Sequence, residues 1–293
     1  MGEKRVGVIG ASGWLGSHLC ETLIERGWKV TGFSRSERSS DKMEWRIWDG
    51  DGPIDLEGLD AVVNLAGESI DQRWTDKLKV EFRRSRVEVT EHLSKAITDS
   101  EVKVLLNASA IGIYGDRGEE KLPESTPAGE GYLADLCRDW EEAVQVPDSV
   151  RVVLLRTGVV LGKGGGAWAR MRPIFKWGIG GRLGNGRQWM PWIHLKDEIG
   201  VIVFCLENEV AGPVNLVAPG GVTNAAFTKA VGQAMKRPVI FPAPAFALKL
   251  ILGDFAKEGL LASTRVVPEV LQEERYQFKY PTISEALVDL VSS

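Results

Sequence analysis

Three glycines spaced three residues apart, Gly10, Gly13 and Gly16, directly follow an apolar run and open a helical pattern. In that setting the first glycine permits a tight turn and the second lets a pyrophosphate approach the backbone. The third lets helix and strand pack closely, and the helix N-terminus then faces the phosphates. At the end of the next apolar run a site that holds an unmodified ribose needs an Asp or Glu. Here the chain reads Phe33-Ser34-Arg35-Ser36, with no acid. A guanidinium among hydroxyls suits a ribose 2′-phosphate, so the expected cofactor is NADP(H).

The elements that must carry such a loop are legible as alternating short β-branched runs and longer helical patterns, the signature of β-α-β units. Strands are expected at Arg5–Ile9, Lys29–Phe33, Glu44–Trp48, Asp60–Leu65, Val102–Asn107 and Val150–Leu155. Helices are expected from the glycine loop to about Arg26, over Asp76–Ser100 and over Tyr132–Val144. After Arg156 the chain becomes glycine-dense and carries Arg182 and Arg187, which reads as a loop-rich lobe over residues 158–194 with one helix around Ala167–Trp177. A strand at Pro213–Val217 and a helix at Thr223–Met235 follow. The three prolines of Pro238–Pro244 mark a crossing into a helical C-terminal region. The expected fold is α/β, a Rossmann-type doubly wound parallel sheet over residues 1–237, with a small C-terminal domain over 238–293.

Composition narrows the rest. The chain has 293 residues, 44% hydrophobic and 26% charged, with 36 Lys and Arg against 40 Asp and Glu. A net charge of −4 points away from nucleic acid or an anionic membrane as main partner, while leaving room for a local basic patch. Cys20, Cys137 and Cys205 are odd in number and lack C-x-x-C spacing, and His18, His92 and His194 are scattered. A disulfide framework or metal centre is therefore not expected. No apolar run reaches the roughly 18 residues of a membrane span, and no signal-peptide pattern is seen, so a cytoplasmic protein is expected.

Several phrases go beyond the glycine loop. Asn64-Leu65-Ala66-Gly67 follows the fourth strand and Ser109…Tyr114-Gly115 the fifth. Arg73-Trp74-Thr75, Ser85-Arg86-Val87, Leu136-Cys137-Arg138-Asp139-Trp140-Glu141, Gly164-Gly165-Gly166 and Pro191-Trp192-Ile193-His194 lie between and after them, and Tyr280-Pro281 closes the set. With these the chain resembles an atypical extended short-chain dehydrogenase/reductase, of the NAD-dependent epimerase/dehydratase-like family with a C-terminal domain of unknown function. The resemblance covers nearly the whole chain. It implies cofactor contacts from Gly10, Ser12, Gly13, Trp14, Leu15, Gly16, Ser34, Arg35, Asn64 and Ala66, with Asp49 near the adenine.

The resemblance also exposes a departure. The superfamily transfers its proton through a Tyr-x-x-x-Lys pair on the helix after the fifth strand. Here Leu133 stands at the tyrosine position and Cys137 at the lysine, and Arg86 replaces an asparagine. Neighbouring Tyr132 is turned about 100° away on the helix and has Leu136, not a lysine, four residues on. The catalytic candidates are therefore Ser109, to hold a substrate oxygen, and Tyr114, Cys137 or a water held by Arg86, to donate the proton. Gly180-Gly181-Arg182 and Gly184-Asn185-Gly186-Arg187 suggest either a substrate clamp walled by Trp189 and Trp192 or a solvent-facing loop. His194, in an apolar stretch, reads as a core histidine. The expectation is an NADP(H)-dependent oxidoreductase or epimerase acting on a small polar substrate, a sugar derivative among the candidates, working as a monomer or homodimer. The alternative is a non-catalytic NADP(H)-binding sensor or scaffold linked to cell division.

Overall fold

A computed structural model describes residues 4–292. Its centre is a seven-stranded sheet of β1 (Arg5–Ile9), β2 (Lys29–Ser34), β3 (Glu44–Ile47), β4 (Ala61–Asn64), β5 (Val104–Ala110), β6 (Arg151–Thr157) and β7 (Gly212–Leu216). All neighbours pair in parallel, in the order β7-β6-β5-β4-β1-β2-β3. The order reverses between β1 and β4, and the glycine loop leaves β1 at that switch point, where open α/β sheets place their ligands. Pro213 lacks a backbone donor and lies on edge strand β7, where proline is tolerated.

Alternation along the strands sets the two layers. Val6 and Val8 face a core shared with α1 (Trp14–Glu25) and α6 (Leu195–Glu207). Ile9, Val62 and Leu105 face the opposite core, with Val89, Leu93 and Ile97 of α3 (Val89–Thr98). The long helix expected at Asp76–Ser100 is broken into α2 (Asp76–Arg83), a π-helical turn at Arg84–Glu88, and α3. Arg86 lies in that turn, and such widened turns recur at functional sites. Beside it α4 (Tyr132–Glu142) packs Leu133, Leu136 and Trp140 against Phe82 and Trp74.

Two elements differ from expectation in kind. Helix α6 was not legible, because nine of its thirteen residues are buried and it shows no polar face to mark a helical period. The glycine-dense segment contains Val159–Gly162, which pairs in parallel with Trp192–His194. Between them runs α5 (Gly166–Lys176). Residues beyond 238 continue as α8 (Ala245–Leu252), α9 (Glu269–Glu273) and α10 (Ile283–Val291). Of these, α10 packs with α7 (Asn224–Met235) around Trp168, Trp192, Phe227 and Leu287. Leu271 of α9 joins the core of β1, α1 and α6.

Candidate active site

The glycine loop has the shape its spacing implies. Gly10 adopts φ +80°, a region that side chains disfavour. A Cβ at Gly16 would lie 2.1 Å from the Gly10 carbonyl oxygen, so α1 approaches β1 only because residue 16 has none. Helix α1 starts after Gly13 with no side-chain cap and no acid in its first turn. Its leading N–H groups therefore remain available to an anion, and Ser12 and Gly13 are exposed beside them. The cradle fits a dinucleotide pyrophosphate.

Trp14 and Asn64, both expected beside the cofactor, are also engaged within the protein. The Trp14 ring lies flat against the glycine-dense lobe, where a Cβ at Gly165 would sit 2.4 Å from it. Its Nε1 donates to the Lys163 carbonyl at 3.3 Å. Asn64 is fully buried: its Nδ2 donates to Asn107 Oδ1 at 2.7 Å, and its Oδ1 accepts from the Ala66 amide at 3.1 Å. It braces from below the Leu65-Ala66 turn that flanks Gly10. Leu15 is half-buried against the core of α1.

At the tip of β2, Ser34 is buried and donates to the Ser36 carbonyl at 2.8 Å. Arg35 is exposed and pairs with no carboxylate among the described residues. A second cation joins it. Arg38 Nε donates to Ser34 Oγ at 3.2 Å, and its guanidinium lies 5.6 Å from the Trp45 ring centroid. Sequence reasoning missed Arg38; the signal was a second arginine three residues after the first, on the same loop. Asp49 Oδ1 accepts from the Asp51 amide at 3.0 Å, the bond of an ordinary Asp-Gly turn.

The acid–base candidates separate sharply. Tyr114 was expected as a proton donor, but it is fully buried, donates to Asn215 Oδ1 at 2.7 Å and accepts from Arg156 Nη1 at 2.9 Å. Burial raises its pKa from the ordinary phenol value, and its hydroxyl is already engaged on both sides by Asn215 and Arg156, away from any exposed surface. Cys137 does not fit the same role either: it is buried, and burial pushes its thiol up to about 12. Ser109 Oγ is turned to Glu141 Oε1 at 2.6 Å, and Glu141 is held by both Arg156 Nε and Nη2 at 2.8 Å. Glu141 and Arg156, both unforeseen, thus join Ser109 to Tyr114 in one buried chain.

Arg86 keeps a different environment. Its Nη2 donates to the Glu68 carbonyl at 2.8 Å, and its guanidinium lies 5.2 Å from the Trp140 ring centroid. No carboxylate pairs with it among the described residues. A Cβ at exposed Gly67 would meet Arg86 Nη2 at 3.2 Å, so the charge sits under the turn that follows β4. Burial lowers its pKa from the ordinary arginine value.

Of the two readings of Gly178–Asp197, a substrate clamp walled by Trp189 and Trp192 or a solvent-facing loop, the arrangement is closer to the second. Trp192 is fully buried with Nε1 on the Gly220 carbonyl, and Arg265 stacks on Trp189 at 4.4 Å. Arg182 and Arg187 are exposed. His194 is buried, accepts from the Lys196 amide at 3.1 Å and is pushed down to about 4 by burial, a core histidine as expected. Among the described residues no His, Cys, Asp or Glu cluster is arranged for a metal, and no helix is long and apolar enough to cross a membrane.

Comparison with known proteins identifies the family. The model of the NAD dependent epimerase/dehydratase family matches residues 6–218, and a domain of unknown function, DUF1731, matches residues 243–290. An epimerase family protein of Mycobacterium bovis is 43% identical, with 98% of this chain and 97% of that protein covered. The crystal structure of human epimerase family protein SDR39U1 with NADPH superposes with a TM-score of 0.91 at 35% identity, covering 98% of each chain. A nucleoside-diphosphate sugar epimerase from Corynebacterium glutamicum superposes with a TM-score of 0.81 at 31% identity, over 99% of this chain and 58% of that one. The seven-stranded sheet, the glycine loop at its switch point and these matches make the chain a member of the NAD dependent epimerase/dehydratase family, an atypical extended short-chain dehydrogenase/reductase carrying DUF1731.

Proposed function

We infer that this chain binds NADP(H), in preference to NAD(H), and acts as an oxidoreductase or epimerase on a small polar substrate, a sugar derivative among the candidates. The observation that carries the cofactor reading is the uncapped start of α1 behind the Gly10–Gly16 loop, with exposed Arg35 and Arg38 just past the tip of β2 and no carboxylate at the tip itself, the exposed Glu37 between them being ion-paired with neither arginine among the described residues. The NADPH in the human SDR39U1 structure supports the same choice. Gly10, Ser12, Gly13, Leu15 and Gly16 would hold the pyrophosphate, Ala66 would flank it, and Arg35 with Arg38 would take the 2′-phosphate. NADP(H), when bound, supplies the hydride.

The protein's own share of the chemistry falls to Arg86. It is the candidate whose charge is neither buried in a salt bridge nor sealed in the core, and it lies beneath Gly67 at the carboxyl end of β4. Arg86 would orient a substrate oxygen or the water that protonates it, while Glu141 and Arg156 fix Ser109 at the carboxyl end of the neighbouring strand β5. The deciding experiment is titration calorimetry of the unmodified protein with NADPH and with NADH. NADPH is expected to bind at least about tenfold tighter, a difference of roughly 1.4 kcal/mol that a charge-assisted contact readily supplies. Equal affinities would overturn the reading.

A further inference from the structure

Charge in this chain is strongly segregated. Between Thr157 and Asp197 the sequence has seven Lys and Arg and no Asp or Glu, and between Glu209 and Asp254 it has four more and again no acid. The net charge of −4 hides this, because the acids lie elsewhere.

The same two segments carry a large exposed apolar group. Trp177 is 80% exposed at the end of α5 and Phe246 is 75% exposed on α8. Ile240, Phe241, Leu250 and Ile251 are each more than half exposed, and α8 buries none of its eight residues. The two segments lie side by side up to the start of α8. Arg237 Nε donates to the Lys176 carbonyl at 3.0 Å, a Cβ at Gly178 would touch Pro238, and one at Gly181 would strike the Phe241 carbonyl. Ala243 then bridges to Leu183 immediately before α8 begins. Beside the patch is a cleft of about 380 Å³ lined by Lys229, Lys236, Arg237, Pro238 and Val239. The Lys176 carbonyl is held by Arg237, Lys249 is exposed on α8, and none of these cations meets a carboxylate among the described residues.

We propose that this face is a docking surface for an anionic lipid bilayer, with Trp177, Phe241, Phe246, Leu250 and Ile251 entering the headgroup–acyl boundary and Lys176, Lys229, Lys236, Arg237 and Lys249 meeting lipid phosphates. An aromatic and aliphatic ridge ringed by cations is the composition that lies in a membrane interface without spanning it. The expectation of no membrane partner came from the net charge of the whole chain, which left room for a local basic patch such as this face carries. A second copy of the chain is the weaker occupant, since a two-fold contact through this patch would set the same unpaired cations against one another. The site owes nothing to the cofactor reading and is tested apart from it.

The test is flotation of the full chain with vesicles of phosphatidylcholine alone and of phosphatidylcholine mixed with phosphatidylglycerol. Binding is expected only to the mixed vesicles, falling as salt is raised. Trp177→Ser with Phe246→Ser, and separately Lys236→Glu with Arg237→Glu, are each expected to weaken it at least about tenfold. NADPH affinity and melting temperature serve as the folding control and should not change. No flotation, equal flotation with neutral vesicles, or a solution dimer that Phe246→Ser converts to monomer would each overturn the proposal.

Discussion

Arg35 and Arg38 show how much of a cofactor choice rests on single side chains. A 2′-phosphate placed between two guanidiniums gains charge-assisted hydrogen bonds that a bare 2′-hydroxyl does not. Arg35→Ala is expected to erase most of the NADPH preference, and the Arg35→Ala, Arg38→Ala double variant to leave the two cofactors within about twofold, read by calorimetry. Arg35 was legible because it occupies the strand tip where an acid is otherwise required. Ser109 was legible only as a residue type: its partner Glu141 is 32 residues away, and Tyr114's partner Asn215 is 101 away, spacings that mark nothing in a sequence. Glu198 makes a sharper residue-scale case. It is buried on α6, accepts from Thr157 Oγ1 at 2.9 Å, and burial pushes its carboxyl up to about 8. A folded value above the unfolded one means the native state holds a proton that the unfolded chain releases. Stability is then present in full below about pH 4.5 and declines as pH rises toward about 8, by at most about 1.4 kcal/mol per pH unit. Glu198→Gln cannot ionise, so its melting temperature should gain on the parent's between pH 5 and pH 8. A gap between the two that is flat with pH would show that the carboxyl is not held protonated.

At the scale of elements, the first β-α unit announced itself because its constraints are local. Gly10 is required by its own positive φ, and Gly13 and Gly16 by the Gly10 carbonyl within six residues, so their spacing alone implied strand, loop and helix. Adding one methyl at Gly16 would force α1 away from the Gly10 carbonyl. Gly16→Ala is therefore expected to weaken NADPH binding at least about tenfold, and to lower the melting temperature by several degrees, as overpacking costs about 1–3 kcal/mol. Unchanged calorimetry would mean that the loop yields more readily than its geometry allows. The lobe was read less well for the opposite reason. Gly162, Gly165 and Gly166 are small because the Trp14 ring lies on them, a contact made across about 150 residues. From sequence alone that glycine density read as a loop-rich lobe. Helix α6 was lost altogether, since a helix wrapped by other elements needs no polar face and so leaves no period to read. The break in the long helix at Arg84–Glu88 was equally silent, although it sets the register in which Arg86 reaches Gly67.

Across the whole molecule, one buried polar chain joins regions that the sequence presents as separate. It runs from Ser109 through Glu141, Arg156 and Tyr114 to Asn215, whose amide donates to Glu124 Oε1 at 3.0 Å. Glu124 Oε2 then accepts from the Glu269 amide at 3.1 Å, and Asn215 Nδ2 donates to the Val267 carbonyl at 2.9 Å. The chain thus ties β5, β6, α4 and β7 to the start of α9. Together with the cores that α9 and α10 share with earlier elements, it leaves residues beyond 238 little means of unfolding alone. The protein is expected to melt in a single transition, with circular dichroism and calorimetry coincident and the calorimetric enthalpy matching the van't Hoff value. The Arg156–Glu141 pair is the place to break it, because both side chains are about nine-tenths buried and removing one strands the other's charge. Glu141→Ala should cost about 3–5 kcal/mol and shift that one transition down by roughly 5–10 °C without splitting it. Two resolved transitions, or loss of the C-terminal signal alone in the variant, would mean that the polar chain does not couple the two ends of the molecule.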